Sequence, residues 1–162
     1  MQIEPIGIDN LYSAMYHKAA GTYLSRWLKW IKEEGEIWAN KCPKCARFVL
    51  PPKIVCGYCK VKIEDKEENW VKLRDTGVIV QCFLISDREI DRVTKKVVGE
   101  PNPNVFIRLD GGDEFTLLGH LLEEGVDLSK IQLGKTRVQA VWTPKEERLG
   151  RIRDIRYFRI IE

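Results

Sequence analysis

Histidine is scarce in this chain, two in 162 residues, which removes the side chain that most often moves protons or binds catalytic metal at neutral pH. His17 lies in a helical pattern. His120 alternates with Leu118 and Leu122, the setting of a histidine held by packing rather than of a base. A Ser/His/Asp order, a glycine-rich nucleotide loop and a histidine–carboxylate metal pattern are all missing. Asp113 and Glu114 sit at a hairpin, where carboxylates serve the turn. These absences argue against an independent enzyme. No apolar run approaches the roughly 20 residues that cross a bilayer, and the N-terminus shows no basic-then-apolar signal. A cytoplasmic protein without membrane association is expected. The net charge of +3 neither requires nor excludes a phosphate-bearing partner.

Cysteine is where the sequence is specific. Four of its five cysteines form two pairs, Cys42-Pro-Lys-Cys45 and Cys56-Gly-Tyr-Cys59, ten residues apart. A two-residue gap lets both sulfurs of a pair bend toward one point, and a short hairpin brings the second pair round to complete a tetrahedron of thiolates. That is the closed donor set of a structural zinc site, with no position left for water. In a reducing compartment such pairs favour metal over disulfide. Lys41, Lys44, Lys53 and Lys60 surround the pairs and offset the charge of about −2 that zinc with four thiolates carries. Cys82 stands apart in the apolar run from Val78 to Ile85 and reads as a small buried hydrophobe.

Residues 9–34 predict a helical segment, with Asp9 or Asn10 as N-cap and Gly35 as the stop. Leu11, Met15, Ala19, Tyr23, Trp27 and Ile31 form one row spaced by four; Tyr12, Tyr16, Ala20, Leu24 and Leu28 form its neighbour. Gly21 is expected to bend this segment or divide it in two. Tyr12, Tyr16, Tyr23, Trp27 and Trp30 supply five of the fifteen aromatic residues. They have two readings: packing against the rest of the chain, or a docking face for another protein. Both stand on the sequence alone.

Strands are expected at Glu36–Ala39 and Phe48–Leu50, with a stiff turn at Pro51-Pro52 and a solvated charged link from Glu64 to Asn69. From Trp70 the pattern becomes that of strands throughout. Trp70–Asp75 alternates, and Thr76-Gly77 suggests a bulge or bend in one long strand that runs to Ile85. Residues 86–96 and Pro101-Asn-Pro103 read as loops or irregular edge. Val105–Leu109 and Glu114–Leu121 flank a turn at Asp110-Gly-Gly-Asp113. Val126–Leu133 offers at most a helical turn, Thr136–Trp142 alternates, and Gly150–Ile161 supplies the last strand. Five or so strands in about 90 residues, the first long and bent, predict a small oligonucleotide/oligosaccharide-binding (OB) barrel.

Order and local wording together resemble a known family. Gly35-Glu-Ile-Trp-Ala-Asn-Lys-Cys-Pro-Lys-Cys45 is followed by Phe48-Val-Leu-Pro-Pro-Lys53, Cys56-Gly-Tyr-Cys59, Thr76-Gly-Val-Ile-Val-Gln-Cys-Phe-Leu-Ile85 and Leu133-Gly-Lys-Thr-Arg-Val138. This is similar to the archaeal and bacterial family, once called a domain of unknown function, that joins a rubredoxin-like zinc ribbon to an acyl-CoA-associated OB fold. The fold expected is mainly β with an N-terminal helical segment: helical over 1–35, zinc ribbon and link over 36–69, OB barrel over 70–162. Lys53 and Ala46 depart from the arginine and the glycine usual in the family; glycine tolerates the positive φ of a knuckle better than alanine.

The resemblance implies a non-catalytic scaffold that docks a thiolase-type acyl-CoA enzyme and helps form its acyl-CoA site. It further implies one structural zinc at Cys42, Cys45, Cys56 and Cys59, acyl-CoA or CoA as ligand, and a thiolase-like enzyme with hydroxymethylglutaryl-CoA synthase, at the start of the mevalonate route, as partners. The alternative is a single-stranded nucleic-acid-binding protein, since Arg148, Arg151, Arg153, Arg156 and Arg159 cluster with Tyr157 and Phe158. Arg151 and Arg153 are expected on one strand face, as are Tyr157 and Arg159. Arg148, Arg151 and Arg153 are thus candidates to contact either CoA phosphates or nucleic acid, although the chain lacks a strong basic excess. A third reading, an electron carrier, arises because four cysteines also hold iron.

Overall fold

A computed structural model describes residues 19–86, 89–90, 97–98 and 101–161, with side chains described outside 85–102. The proposed caps Asp9 and Asn10, the stripe residues Leu11, Tyr12, Met15 and Tyr16, and His17 lie outside the described residues.

Helix α1 (Gly21–Glu33) starts where the sequence expects an interruption. Gly21 has φ +76°, which a helix interior does not accept, so this glycine marks the N-terminus. At the other end the Gly35 N–H bonds the Trp30 carbonyl at 3.0 Å with φ +68°, the expected glycine stop. Tyr23, Trp27 and Ile31, one above another at a spacing of four, are the buried face.

That face lies on a three-stranded antiparallel sheet of β1 (Ile37–Lys41), β2 (Phe48–Val49) and β3 (Trp70–Leu73), in the order β2-β1-β3. Trp70–Leu73, read from the sequence as the opening of the barrel, pairs with β1 instead, from Ile37 opposite Leu73 to Asn40 opposite Trp70. The charged link therefore closes the ribbon sheet on itself. Asp65 in that link accepts from Arg26 of α1 at 2.7 Å and from the Trp70 indole N–H at 2.8 Å.

The long strand β4 (Thr76–Ser86) begins only after a break at Arg74–Asp75. A short pair, β5 (Glu89–Ile90) and β6 (Val97–Val98), stands before β7 (Pro101–Leu109), which includes the Pro101-Asn-Pro103 stretch expected to be a loop. β8 (Leu117–Leu121), β9 (Arg137–Trp142) and β10 (Ile155–Ile160) complete a sheet ordered β10-β9-β4-β7-β8. β8 starts three residues later than its apolar pattern suggests, because Asp113 and Thr116 bond to one another in the turn. Expected and observed agree on one short helical turn, at Leu128–Lys130.

A parallel bridge between Leu122 and Phe158, with the Glu123 N–H on the Phe158 carbonyl at 2.9 Å, joins β8 to β10 and closes the barrel. Numbered along the barrel, the cyclic order is that of an OB fold. The bulge in its first strand falls between Ile79 and Gln81, not at Gly77. Gly77 answers a different need: a Cβ there would stand 2.4 Å from the Arg108 carbonyl oxygen, so only glycine lets β4 approach β7 so closely.

Ile79, Val105, Ile107, Leu118, Val138, Ile155 and Phe158 fill the barrel, and their cluster continues through Leu109 to Ile37, Ala39 and Leu73 of the ribbon sheet. Ribbon and barrel thus share one apolar core.

Candidate metal centre

Each cysteine pair sits on a tight knuckle with the same hydrogen-bond frame. The Cys42 N–H bonds the Arg47 carbonyl at 2.9 Å and the Ala46 N–H bonds the Cys42 carbonyl at 2.9 Å. In the second knuckle the Cys56 N–H bonds the Val61 carbonyl at 2.9 Å and the Lys60 N–H bonds the Cys56 carbonyl at 3.0 Å. The residue after each second cysteine is left-handed, Ala46 at φ +57° and Lys60 at φ +59°. Glycine is the residue such a position favours, and neither knuckle has one there. Asn40, fully buried in β1, donates to the Lys53 carbonyl at 2.7 Å and so ties the strand leading into the first knuckle to the segment leading into the second.

Zn–S bonds of about 2.3 Å place the sulfurs of a tetrahedron about 3.8 Å apart. Here Cys42 and Cys59 sulfurs lie 3.4 Å apart, Cys45 and Cys56 3.7 Å apart, and all four within 4.8 Å of one another. The four residues fit one zinc ion. Backbone N–H groups aimed at the sulfurs prepare them for it. Burial pushes the Cys42 thiol up, but the N–H groups of Cys45 and Lys44 and the adjacent thiols outweigh it and bring it below its ordinary range. Cys56 is brought down to about 6, chiefly by the Cys59 N–H, with burial opposing and the Tyr58 N–H assisting. Cys45 is pushed up to about 11: the Arg47 N–H favours its thiolate, but burial and three neighbouring thiols prevail. Four sulfurs at this spacing do not all ionise unaided, and a divalent cation displaces the protons that remain.

Residues 29–64 match the ChsH2 rubredoxin-like zinc ribbon domain. The resemblance read from the sequence holds for this ribbon. No curated protein matches the chain. Among solved structures, the Ltp2-ChsH2(DUF35) aldolase is similar to the chain at 18% identity and a TM-score of 0.56, over 90% of this chain and 100% of that one. A DUF35-family protein of unknown function from Sulfolobus solfataricus is similar at 18% identity and a TM-score of 0.48, over 85% and 80%. The first likeness shows that the fold beyond the ribbon is shared as well.

The remaining candidates fall in different places. Tyr23 and Trp27 are buried, and the Tyr23 hydroxyl donates to the Ile63 carbonyl at 2.5 Å. Trp30 stacks on Trp38 with ring centres 4.6 Å apart and meets Trp70 edge-on at 5.0 Å. These three aromatics hold the helix to the ribbon: Tyr23 and Trp27 are buried, as the packing reading expects, while Trp30 is half-buried. Tyr12 and Tyr16 lie outside the described residues.

Arg148 is likewise committed: its Nε donates to the Thr143 carbonyl at 2.8 Å, and its guanidinium lies 5.3 Å from the Trp142 ring centre and packs on Gly35. Arg151 precedes a 3-10 turn at Ile152–Asp154 as its N-cap and Arg153 lies within that turn, so the two do not share a strand face. The buried Asp154 carboxylate organises that turn by accepting from the N–H groups of Leu149, Gly150 and Arg151. Arg151 and Arg153 are exposed.

His120 is buried, its Nε2 3.3 Å from the Ile152 carbonyl, its Nδ1 accepting from the Leu121 N–H, and its ring edge-on to Phe158. Burial lowers its pKa, so the ring stays neutral and structural. Cys82 packs against the barrel core, and burial pushes its thiol up.

Two features escaped the sequence. On the outer face of β4, β7 and β8, Phe106 and Leu117 are 36% exposed and Leu121 40%, with Phe83 5.5 Å from Phe106. Gly119, opposite Phe106, leaves room for that ring to lie flat. Alternation alone hides this face, because both sides of β8 are apolar. The second feature is Arg47 against Tyr58 and Phe115, residues that are far apart in the chain and adjacent only in space.

Proposed function

We propose that this protein is a non-catalytic, zinc-stabilised companion subunit of an acyl-CoA enzyme of the thiolase type, whose acyl-CoA site it helps to complete. The observation that carries this reading is the pairing of a metal centre whose four positions are all cysteine with a fold that spans the whole of a chain named together with Ltp2 as an aldolase. A closed thiolate site holds structure and offers no place for a substrate oxygen. The outer face of β4, β7 and β8 suits an apolar protein surface: Phe83, Phe106, Leu117 and Leu121 dominate it, with Arg108 as its cation. A nucleic-acid platform on an OB barrel uses the same strands but interleaves its aromatics with several cations. CoA phosphates would meet Arg151 and Arg153, which remain exposed beside the barrel.

The test is co-expression with thiolase-type enzymes and hydroxymethylglutaryl-CoA synthase, with capture through this chain. Recovery of an acyl-CoA enzyme in fixed ratio is expected, and Phe106→Glu should abolish recovery while one zinc per chain remains. Salt-sensitive binding of single-stranded DNA with no enzyme recovered would overturn the proposal in favour of nucleic-acid binding.

A further inference from the structure

Tyr58 is 67% exposed and Phe115 47%, each at the tip of a loop where a polar residue would cost nothing in core packing. Their rings meet the same cation. The Arg47 guanidinium carbon lies 3.5 Å from the Tyr58 ring centre and 4.3 Å from that of Phe115. Tyr58 belongs to the second zinc knuckle, Arg47 leaves the first, and Phe115 sits in the β7–β8 turn of the barrel.

Both cation–π partners from the ribbon are bound to the metal ligands through their backbones. The Arg47 N–H points at the Cys45 sulfur and its carbonyl accepts from the Cys42 N–H; the Tyr58 N–H points at the Cys56 sulfur. The next residue extends the link, since the Phe48 N–H donates to Asp113 Oδ2 at 2.9 Å. Asp113 in turn shapes the barrel loop by accepting from the Phe115 N–H at 3.0 Å and from the Thr116 hydroxyl at 2.8 Å. A continuous set of contacts therefore runs from the thiolates to the turn. Beside it lies an open groove of about 440 Å³ whose walls include Arg47, Lys53, Tyr58 and Phe115 over Val49 and Leu50.

We propose that the zinc ribbon acts as a metal-dependent latch on the barrel, in which Arg47 clasps Tyr58 and Phe115 so that metal occupancy sets the order of the 113–116 turn and the shape of the adjoining groove. The metal fixes both knuckles, the knuckles fix Arg47 and Tyr58, and those two hold Phe115. On metal loss the contacts on Arg47 lapse together, because their ribbon ends no longer have a defined separation. Most of the shared core, Ile79, Val105, Ile107, Val138, Ile155 and Phe158, comes from the barrel strands, which keep it. This holds whatever the partner of the protein is.

Amide hydrogen exchange on the full chain, with zinc bound and after chelation, reads this directly. Chelation should speed exchange at residues 113–117, while residues 137–142 of β9 stay protected. Zinc-loaded Arg47→Gln should speed the same turn by about five- to thirty-fold, the loss expected from two exposed cation–π contacts. Zinc content is measured alongside. Unchanged exchange at 113–117 in zinc-loaded Arg47→Gln would overturn the latch, even if chelation unfolds the whole chain. Should Arg47→Gln lose zinc, zinc-loaded Tyr58→Ser replaces it, and an unchanged turn there overturns the proposal equally.

Discussion

The ribbon's own buried cluster is Cys42, Cys56 and Ile63, two of them metal ligands, whereas the barrel encloses Ile79, Val105, Ile107, Val138, Ile155, Phe158 and their neighbours. One body is held by coordination, the other by burial. A hairpin this short cannot remove enough apolar surface from water to offset the entropy of ordering its chain, so four sulfurs and a metal take over that role. The other side of the ribbon sheet draws on the barrel, since Ile37, Ala39 and Leu73 pack into the barrel core, and α1 covers the rest with Tyr23, Trp27 and Ile31. Perturbing either body should therefore have a distinct signature.

Removing a ligand has the largest effect. Structural zinc contributes about 10–16 kcal/mol in small zinc domains. Cys56→Ser is expected to lose bound zinc and hydrogen-exchange protection over 40–63, while β9 and β10 retain protection. Metal analysis with exchange measurements checks it, and equal loss in the barrel would erase the contrast. The opposite experiment is Phe158→Ala. Phe158 is fully buried, so the substitution should destabilise the chain by about 3–5 kcal/mol in denaturant unfolding without weakening zinc affinity at low denaturant.

A third test uses pH. The Cys45 thiol, pushed up to about 11, holds its proton near neutrality and must release it when zinc binds. The Cys56 thiol, brought down to about 6, keeps its proton only below that value. Zinc affinity should thus fall with falling pH, and the slope of log Kd should steepen by about one proton below pH 6. Competition with a zinc-binding dye at several pH values measures the slope; a slope unchanged across pH 6 contradicts the assignment of Cys56. The smallest effect belongs to Ala46→Gly, which relieves a left-handed alanine at φ +57°. The gain should be no more than about 1 kcal/mol, because glycine also loses more backbone entropy on folding. Thermal unfolding of the zinc-bound ribbon reads it, and a lowered Tm contradicts it.

The metal centre was legible in the sequence because its information is local: two Cys-x-x-Cys turns carry their own geometry, and the departure at Ala46 pointed to the positive φ found there. The barrel was legible as a class, since the apolar run to Ile85, the strand at 105–109, the alternation in 136–142 and the final stretch survive in β4, β7, β9 and β10. Strand membership was not. Trp70–Leu73 has the same alternation whether it opens a barrel or closes a ribbon, and only the partner strand distinguishes them. The aromatic helix was equally ambiguous. Tyr23 and Trp27 form the same stripe whether they face a partner or, as here, the chain's own sheet.

The chain's sequence determined by itself where a metal is bound and, in a cleanly alternating stretch such as 136–142, which strand face is apolar, because spacing and period two act within a few residues. Tertiary structure alone decided that Arg47, Tyr58 and Phe115 meet, that Arg148 is committed to Thr143 and Trp142, and that an apolar face lies outside the barrel. Those outcomes depend on strand order and closure, which bring together residues that no local pattern relates.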